Sequence, residues 1–175
     1  MKWLLLALTV LSMQAQAYTQ PCQWVERMAN KKEYQAKPLR LAVMKAPDEL
    51  PARFGLELLE RHGSWFIYQT PEPWYEVNQC APVKREQMIF MPVLLNRQTG
   101  HNAVVTGNFL LKVVRKHQLD EVIARYGFKV ITYMPRADSV MVDLRSVSSY
   151  DDLIERLDQD KDVHLLAPIL AEPRR

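Results

Sequence analysis

The clearest hydrophobic periodicity lies in the C-terminal part of the chain. Phe109-Leu110-Leu111-Lys112-Val113-Val114 is a short apolar run of strand length. Leu119, Val122, Ile123 and Tyr126 then recur at i, i+3, i+4 and i+7, one face of a helix, and Gly127 sits where a C-terminal cap belongs. Burying each such side chain contributes ~1.5–3 kcal/mol, so this face requires a sheet to lie on. Lys129-Val130-Ile131-Thr132-Tyr133 predicts a second strand and Pro135-Arg136-Ala137-Asp138-Ser139 a turn. Val140, Val142 and Leu144 then alternate with Met141 and Asp143, the period of a third strand. Ser149 and Asp152 stand at capping-box spacing, and Tyr150, Leu153, Ile154 and Leu157 repeat the apolar helical face. Asp160-Lys161-Asp162 turns the chain into a last strand, Val163-His164-Leu165-Leu166.

The order β-α-β-β-α-β predicts an α+β fold, a ferredoxin-like split βαβ with both helices on one face of an antiparallel sheet. The other sheet face is then bare, and either the preceding residues or a partner must cover it. Those preceding residues read differently. Eight of the 11 prolines (Pro21, Pro38, Pro47, Pro51, Pro71, Pro73, Pro82 and Pro92) fall between Tyr18 and Gly100, which favours short elements joined by turns. One helix is expected from Asp48-Glu49-Leu50-Pro51 through Phe54, Leu58 and Leu59 to a stop at His62-Gly63. Strands are expected at Trp65–Tyr68 and Met88–Met91, and a polar turn over Asn96–Asn102.

Composition narrows the function classes. The 175 residues are 48% hydrophobic and 25% charged, an ordinary globular balance. The net charge of +3, from 23 Lys+Arg and 20 Asp+Glu, does not define a nucleic-acid binder, because phosphate neutralisation needs a clustered basic face. Lys2, the apolar run Leu4–Leu11 and the small-x-small pattern Ala15-Gln16-Ala17 make residues 1–17 an expected signal peptide, cleaved before Tyr18. The apolar run is too short to span a bilayer, so a periplasmic or secreted chain without a membrane partner is expected. Export makes a Cys22–Cys80 disulfide the default for the two cysteines. With no CxxC and no ligand spacing around His62, His101, His117 or His164, neither a metal nor a cofactor is expected. His62-Gly63-Ser64 suggests a nucleophile only superficially, since no GxSxG elbow or orienting acid accompanies it. Asp151-Asp152 and Asp158-Asp160-Asp162 read as capping and solvated helix ends, so no enzyme is expected.

After the last strand the chain runs Ala167-Pro168-Ile169-Leu170-Ala171-Glu172-Pro173-Arg174-Arg175. Prolines 168 and 173 oppose helix and sheet continuation, which predicts an extended, exposed tail over 168–175. With the element order and lengths of 104–167, that tail resembles the propeptides of subtilisin-family serine proteases. Pro92–Gly100 resembles the lead-in of such prosegments. The resemblance implies a sheet that packs on a protease and a tail that lies in its cleft like a cleaved product. It places Ala171, Glu172, Pro173, Arg174 and Arg175 in the cleft, Arg175 in the primary specificity pocket and Arg174 in the next. The dibasic end is similar to what kexin-like subtilases cleave after. Because the chain stops where a catalytic domain would begin, it looks like the separately encoded external chaperones of secreted kexin-like bacterial proteases, with residues 18–103 as an additional extension. A 1:1 complex with such a protease is the implied partnership. Family propeptides often carry acidic residues just after the last strand, where this chain has Ala167-Pro168-Ile169. Asp138 or another carboxylate would have to replace that contact, and Met141, if it points away from the helices, is an expected docking position on the free face. The alternatives are a standing periplasmic inhibitor without a folding role, and a periplasmic binding or adhesion module with an inert tail.

Overall fold

The structure, a computed structural model, describes residues 22–30, 32–76, 79–135 and 138–173. It is α+β. Helix α1 (Gln23–Asn30) leads into strands β1 (Tyr34–Val43), β2 (Glu57–His62), β3 (Trp65–Gln69), β4 (Val83–Arg85) and β5 (Met88–Asn96). Then follow β6 (Asn102–Val113), α2 (Leu119–Tyr126), β7 (Lys129–Tyr133), β8 (Ser139–Asp143), α3 (Tyr150–Asp158) and β9 (Val163–Ala171). The nine strands form one antiparallel sheet, larger than the four strands expected. The main path runs β2-β3-β1-β5-β6-β8-β7, with β4 paired to β5 and β9 to β6.

The C-terminal elements follow the hydrophobic pattern. Phe109, Leu111, Val113, Val140, Val142 and Leu166 are buried beneath Leu119 and Val122 of α2 and Tyr150, Leu153, Ile154 and Leu157 of α3. Gly127 ends α2 in the left-handed region at φ 64°, and the Ser149 hydroxyl accepts from the Asp152 N–H at 3.1 Å to cap α3.

The N-terminal part departs from its pattern at residues 48–62. No helix forms there. Two 3-10 turns, Pro47–Glu49 and Ala52–Phe54, precede β2, and Gly63-Ser64 is the hairpin turn joining β2 to β3. Pro47 and Pro51 interrupt the helical run, Gly55 breaks it in the left-handed region, and β2 then pairs Leu58 with Tyr68 of β3, with Leu59 at a register shift. Phe54 does bury an edge, against Trp74 and Phe90 in an edge-to-face cluster with ring centroids 5.0–6.0 Å apart.

Helix α1 joins α3 in the helical layer and packs on β9 of the sheet. Three elements meet at its start. The Cys22–Cys80 disulfide, across 58 residues, clips α1 to the segment before β4, and closing a loop of this size stabilises by ~4 kcal/mol in the chain-entropy model. The Cys80 carbonyl accepts from the Tyr150 N–H at 2.6 Å. The Asp151 carboxylate accepts from the N–H groups of Trp24 (3.1 Å) and Val25 (3.2 Å), so a residue of the first turn of α3 caps α1. Burial outweighs these hydrogen bonds and raises the Asp151 carboxyl to about 6.

Strand β6 organises the sheet. Val104 faces both Val93 of β5 and Ala171 of β9, and Leu110 faces both Met141 of β8 and Ala167 of β9. One edge of β6 therefore carries β9, while the other is divided between β5 (102–104) and β8 (108–112). Gly107 lies at the division with φ 80°, and its carbonyl accepts from the Leu144 N–H at 2.7 Å. A Cβ there would overlap the Arg145 side chain and lie 2.8 Å from Met91 Cε.

Two outcomes follow for stability. Gly107→Ala should destabilise by about 2–4 kcal/mol, combining the left-handed penalty with overpacking, as read by urea unfolding. For Asp151 the folded pKa lies above the unfolded one, so its favourable contribution is full below about pH 4 and is lost as pH rises through 6. Asp151→Asn keeps a carbonyl acceptor without the charge. It should flatten this part of the stability–pH profile and exceed the native chain at pH 7.5 by on the order of 1–3 kcal/mol. An unchanged profile would place the carboxyl at its ordinary value.

Candidate functional site

The tail expected to begin at Pro168 instead continues the sheet. β9 pairs with β6 from Val113↔Val163 to Val104↔Ala171, with Pro168 opposite Phe109 and a register shift after it. Proline is tolerated because β9 pairs with no strand but β6 among the described residues, so one edge needs no donor. The Thr106 hydroxyl donates to the Ile169 carbonyl at 2.8 Å. The next residue after β9 is also held. Glu172 Oε1 accepts from Asn96 Nδ2 at 3.1 Å, and the carboxylate lies beside the Tyr34 phenol. Tyr34 and Asn96 face one another across β1 and β5, and the backbone N–H groups of Gln98 and Thr99 fix the Asn96 amide through its Oδ1. Burial first, and the Glu172 carboxylate second, push the Tyr34 phenol up to about 12. The extension thus anchors the chain as far as Glu172, one residue before Pro173. Arg174 and Arg175 lie outside the described residues, as does the expected signal peptide.

On the sheet face away from the helices, residues 22–103 meet one end, where Met44, Trp65 and Lys84 stand beside residues of β7 and β8, and leave the apolar strip around Met141 partly exposed. Residues 22–103 also add α1 to the helical layer and lengthen the sheet. Met141 is on this free face, opposite Leu110 of β6 and Thr132 of β7, and Leu165 and Ala167 of β9 join it by register. All four apolar side chains are partly exposed. Asp138 stands at the margin, its carboxylate 3.9 Å from Lys112 Nζ.

The free face ends in a cleft where β5 and β8 diverge from β6. Arg145 lines three adjoining hollows of about 640, 250 and 470 Å³. Its guanidinium holds the Asp143 carboxylate in a two-pronged pair, Nε–Oδ1 2.9 Å and Nη2–Oδ2 2.7 Å, and Lys129 Nζ is 3.7 Å from the same oxygen Oδ2. Despite partial burial, this pairing lowers the Asp143 carboxyl to about 2. The sequence signal for this site, the Asp143-Leu144-Arg145 spacing after a strand, does not reveal that Gly107 makes room for the arginine.

The remaining sequence candidates assemble no reactive centre among the described residues. His62 Nε2 faces Glu60 at 2.8 Å in the β2–β3 hairpin, and Ser64 is an exposed turn residue. Asp160 and Asp162 pair with Arg125 at 2.8 and 2.9 Å, and Tyr126 and Gln118 donate to them, tying α2 to the turn before β9. No group of three or more His, Cys, Asp and Glu suited to a metal occurs among the described residues, and none of their helices is long and apolar enough to cross a membrane. Comparison with protein-family models, curated proteins and solved structures returned no match to the chain.

The clamp on Glu172 has a spectroscopic consequence. Glu172→Gln retains a carbonyl acceptor but removes the charge, so the Tyr34 phenol should titrate part of the way back from about 12 toward 10. Glu172→Ala should also raise amide exchange at Ala171, at a cost of ~0.5–1.5 kcal/mol in global stability. Ultraviolet titration and hydrogen exchange read the two effects, and neither moving would mean the clamp does not form in solution.

Proposed function

We propose that this chain is an exported, propeptide-like chaperone that binds a secreted, kexin-like subtilisin-family protease, helps it fold, and inhibits it by laying its tail in the cleft. One observation carries this reading. The segment from β6 to β9 has strand order β9-β6-β8-β7, all antiparallel, with α2 and α3 packed on one side and a partly exposed apolar strip on the other. This is the order of a ferredoxin-like split βαβ unit, and its last strand leads directly into the dibasic tail. The free strip, with Leu110, Met141, Leu165 and Ala167, is the surface that would rest on the protease. The disulfide, compatible with an oxidising compartment, and the signal-like residues 1–17 support export. Arg174 and Arg175 supply the recognition chemistry, two guanidinium groups able to make charge-assisted hydrogen bonds in acidic subsites.

The anchoring of Glu172 refines the experiment, since a truncation has to spare the clamp. A chain ending at Pro173 should keep its unfolding midpoint and lose two or more orders of magnitude in inhibition of a dibasic-specific subtilase, at ~1.5–3 kcal/mol per charged hydrogen bond. Arg175→Ala should cost more than Arg174→Ala, and Met141→Glu should weaken binding while circular dichroism shows an intact fold. Equal inhibition by the full and shortened chains would remove the tail from the mechanism. Inhibition without any gain in maturation of the co-expressed protease would leave a standing inhibitor, and no binding at all would favour a binding module with an inert tail.

A further inference from the structure

The hollows around Arg145 do not follow from the tail or from the apolar strip. The largest has Lys84 of β4 on one wall and Lys129 of β7 on another, with Arg145 and Asp143 of the β8 end beside them and Ser146 and Ser148 in the loop before α3. Three cations therefore share it with one carboxylate, and that carboxylate is already held by Arg145 at both oxygens. Arg145 Nη1 makes no hydrogen bond among the described residues, and the Lys129 side chain is 78% exposed. The guanidinium is held by Asp143 and its stem packs over Gly107, so the cation borders the cleft without needing to be ordered by a ligand.

The apolar surroundings say what kind of anion fits. Of the eight large hydrophobic side chains exposed on the described surface, three line these hollows: Met44 at 52%, Ile131 at 46% and Ile89 at 40%. A free inorganic anion would use the cations and leave these side chains in water. A polypeptide carrying a carboxylate between apolar side chains uses both. Lys129 and Asp143 also lie on the free sheet face with Met141, so the cleft and the apolar strip are continuous.

We propose that the Arg145 cleft is a binding site for an acidic segment of a protein partner, in which a Glu or Asp carboxylate is held by Lys84, Lys129 and Arg145 while flanking apolar side chains lie on Met44, Ile89 and Ile131. A partner seated on the free face would reach it without the chain changing shape. The inference stands apart from the inhibitor reading, because its test contains no protease.

The test is titration of the full chain, followed by amide chemical shifts, with a short peptide alternating leucine and glutamate. Controls are the same peptide with lysine for glutamate, inorganic phosphate, and heparin. Shifts should centre on Lys84, Lys129 and Arg145 with the glutamate peptide and be absent with the lysine peptide. Lys84→Glu together with Lys129→Glu, both exposed positions, should weaken the interaction about tenfold or more, as should raising the salt several-fold. Absence of shifts with the glutamate peptide, or equal binding by the doubly reversed chain, would overturn the proposal. Tighter binding of heparin or phosphate than of the peptide would overturn it in favour of a general polyanion site.

Discussion

Strand β6 has three strand neighbours and only two edges, and the rest of the structure is arranged around that constraint. β9 occupies one edge from Val104 to Val113, so β5 and β8 have to divide the other. The division is possible because Gly107 adopts a backbone conformation closed to most residues and lacks a Cβ. Divergence of the two neighbours opens the Arg145 cleft, and the long β6–β9 ladder carries the end of β9 past the helical unit to the Tyr34–Asn96 pair. A local backbone choice thus sets both the concavity on the free face and the place where the tail leaves.

The charges are deployed unevenly around this frame. On the helical side carboxylates are internal fixings: Asp151 holds the first turn of α1, and Asp160 and Asp162 hold Arg125. On the free side only Asp143 is tightly paired, and Lys84 and Lys129 reach toward solvent beside exposed apolar side chains. Net charge of the whole chain conceals this, because 23 Lys+Arg and 20 Asp+Glu nearly cancel in the total.

Elements whose identity is set by local periodicity were legible in the sequence. The helical face Leu119-Val122-Ile123-Tyr126 and the alternation Val140-Met141-Val142 each encode burial by their own spacing, and both hold in the structure. Residues 48–62 misled because Phe54, Leu58 and Leu59 mimic a helical stripe, whereas β3 supplies a cross-strand partner that no local pattern announces. The continuation of β9 through Pro168 was hidden for a related reason: a proline rule tuned to central strands says little about a strand with one free edge. The clamp on Glu172 and the capping of α1 by Asp151 join residues far apart in sequence, and side-chain type alone gives neither away.

The shared strand also governs the order in which the fold can be completed. Pairing Val104 with Ala171 and Val113 with Val163 brings together segments separated by two helices and two strands. Closing such loops costs entropy before the ladder returns any stabilisation, and sheets built from distant pairings fold in the slower, millisecond-to-second range. Until β9 arrives, β6 presents a long apolar edge of unpaired amides, the type of surface on which chains cross-associate. A chain emerging from its N-terminus onward would expose that edge throughout the synthesis and folding of α2, β7, β8 and α3. The acidic turn at Asp160-Lys161-Asp162, bound to Arg125 of α2, stands where the chain turns into the strand that ends this vulnerable interval.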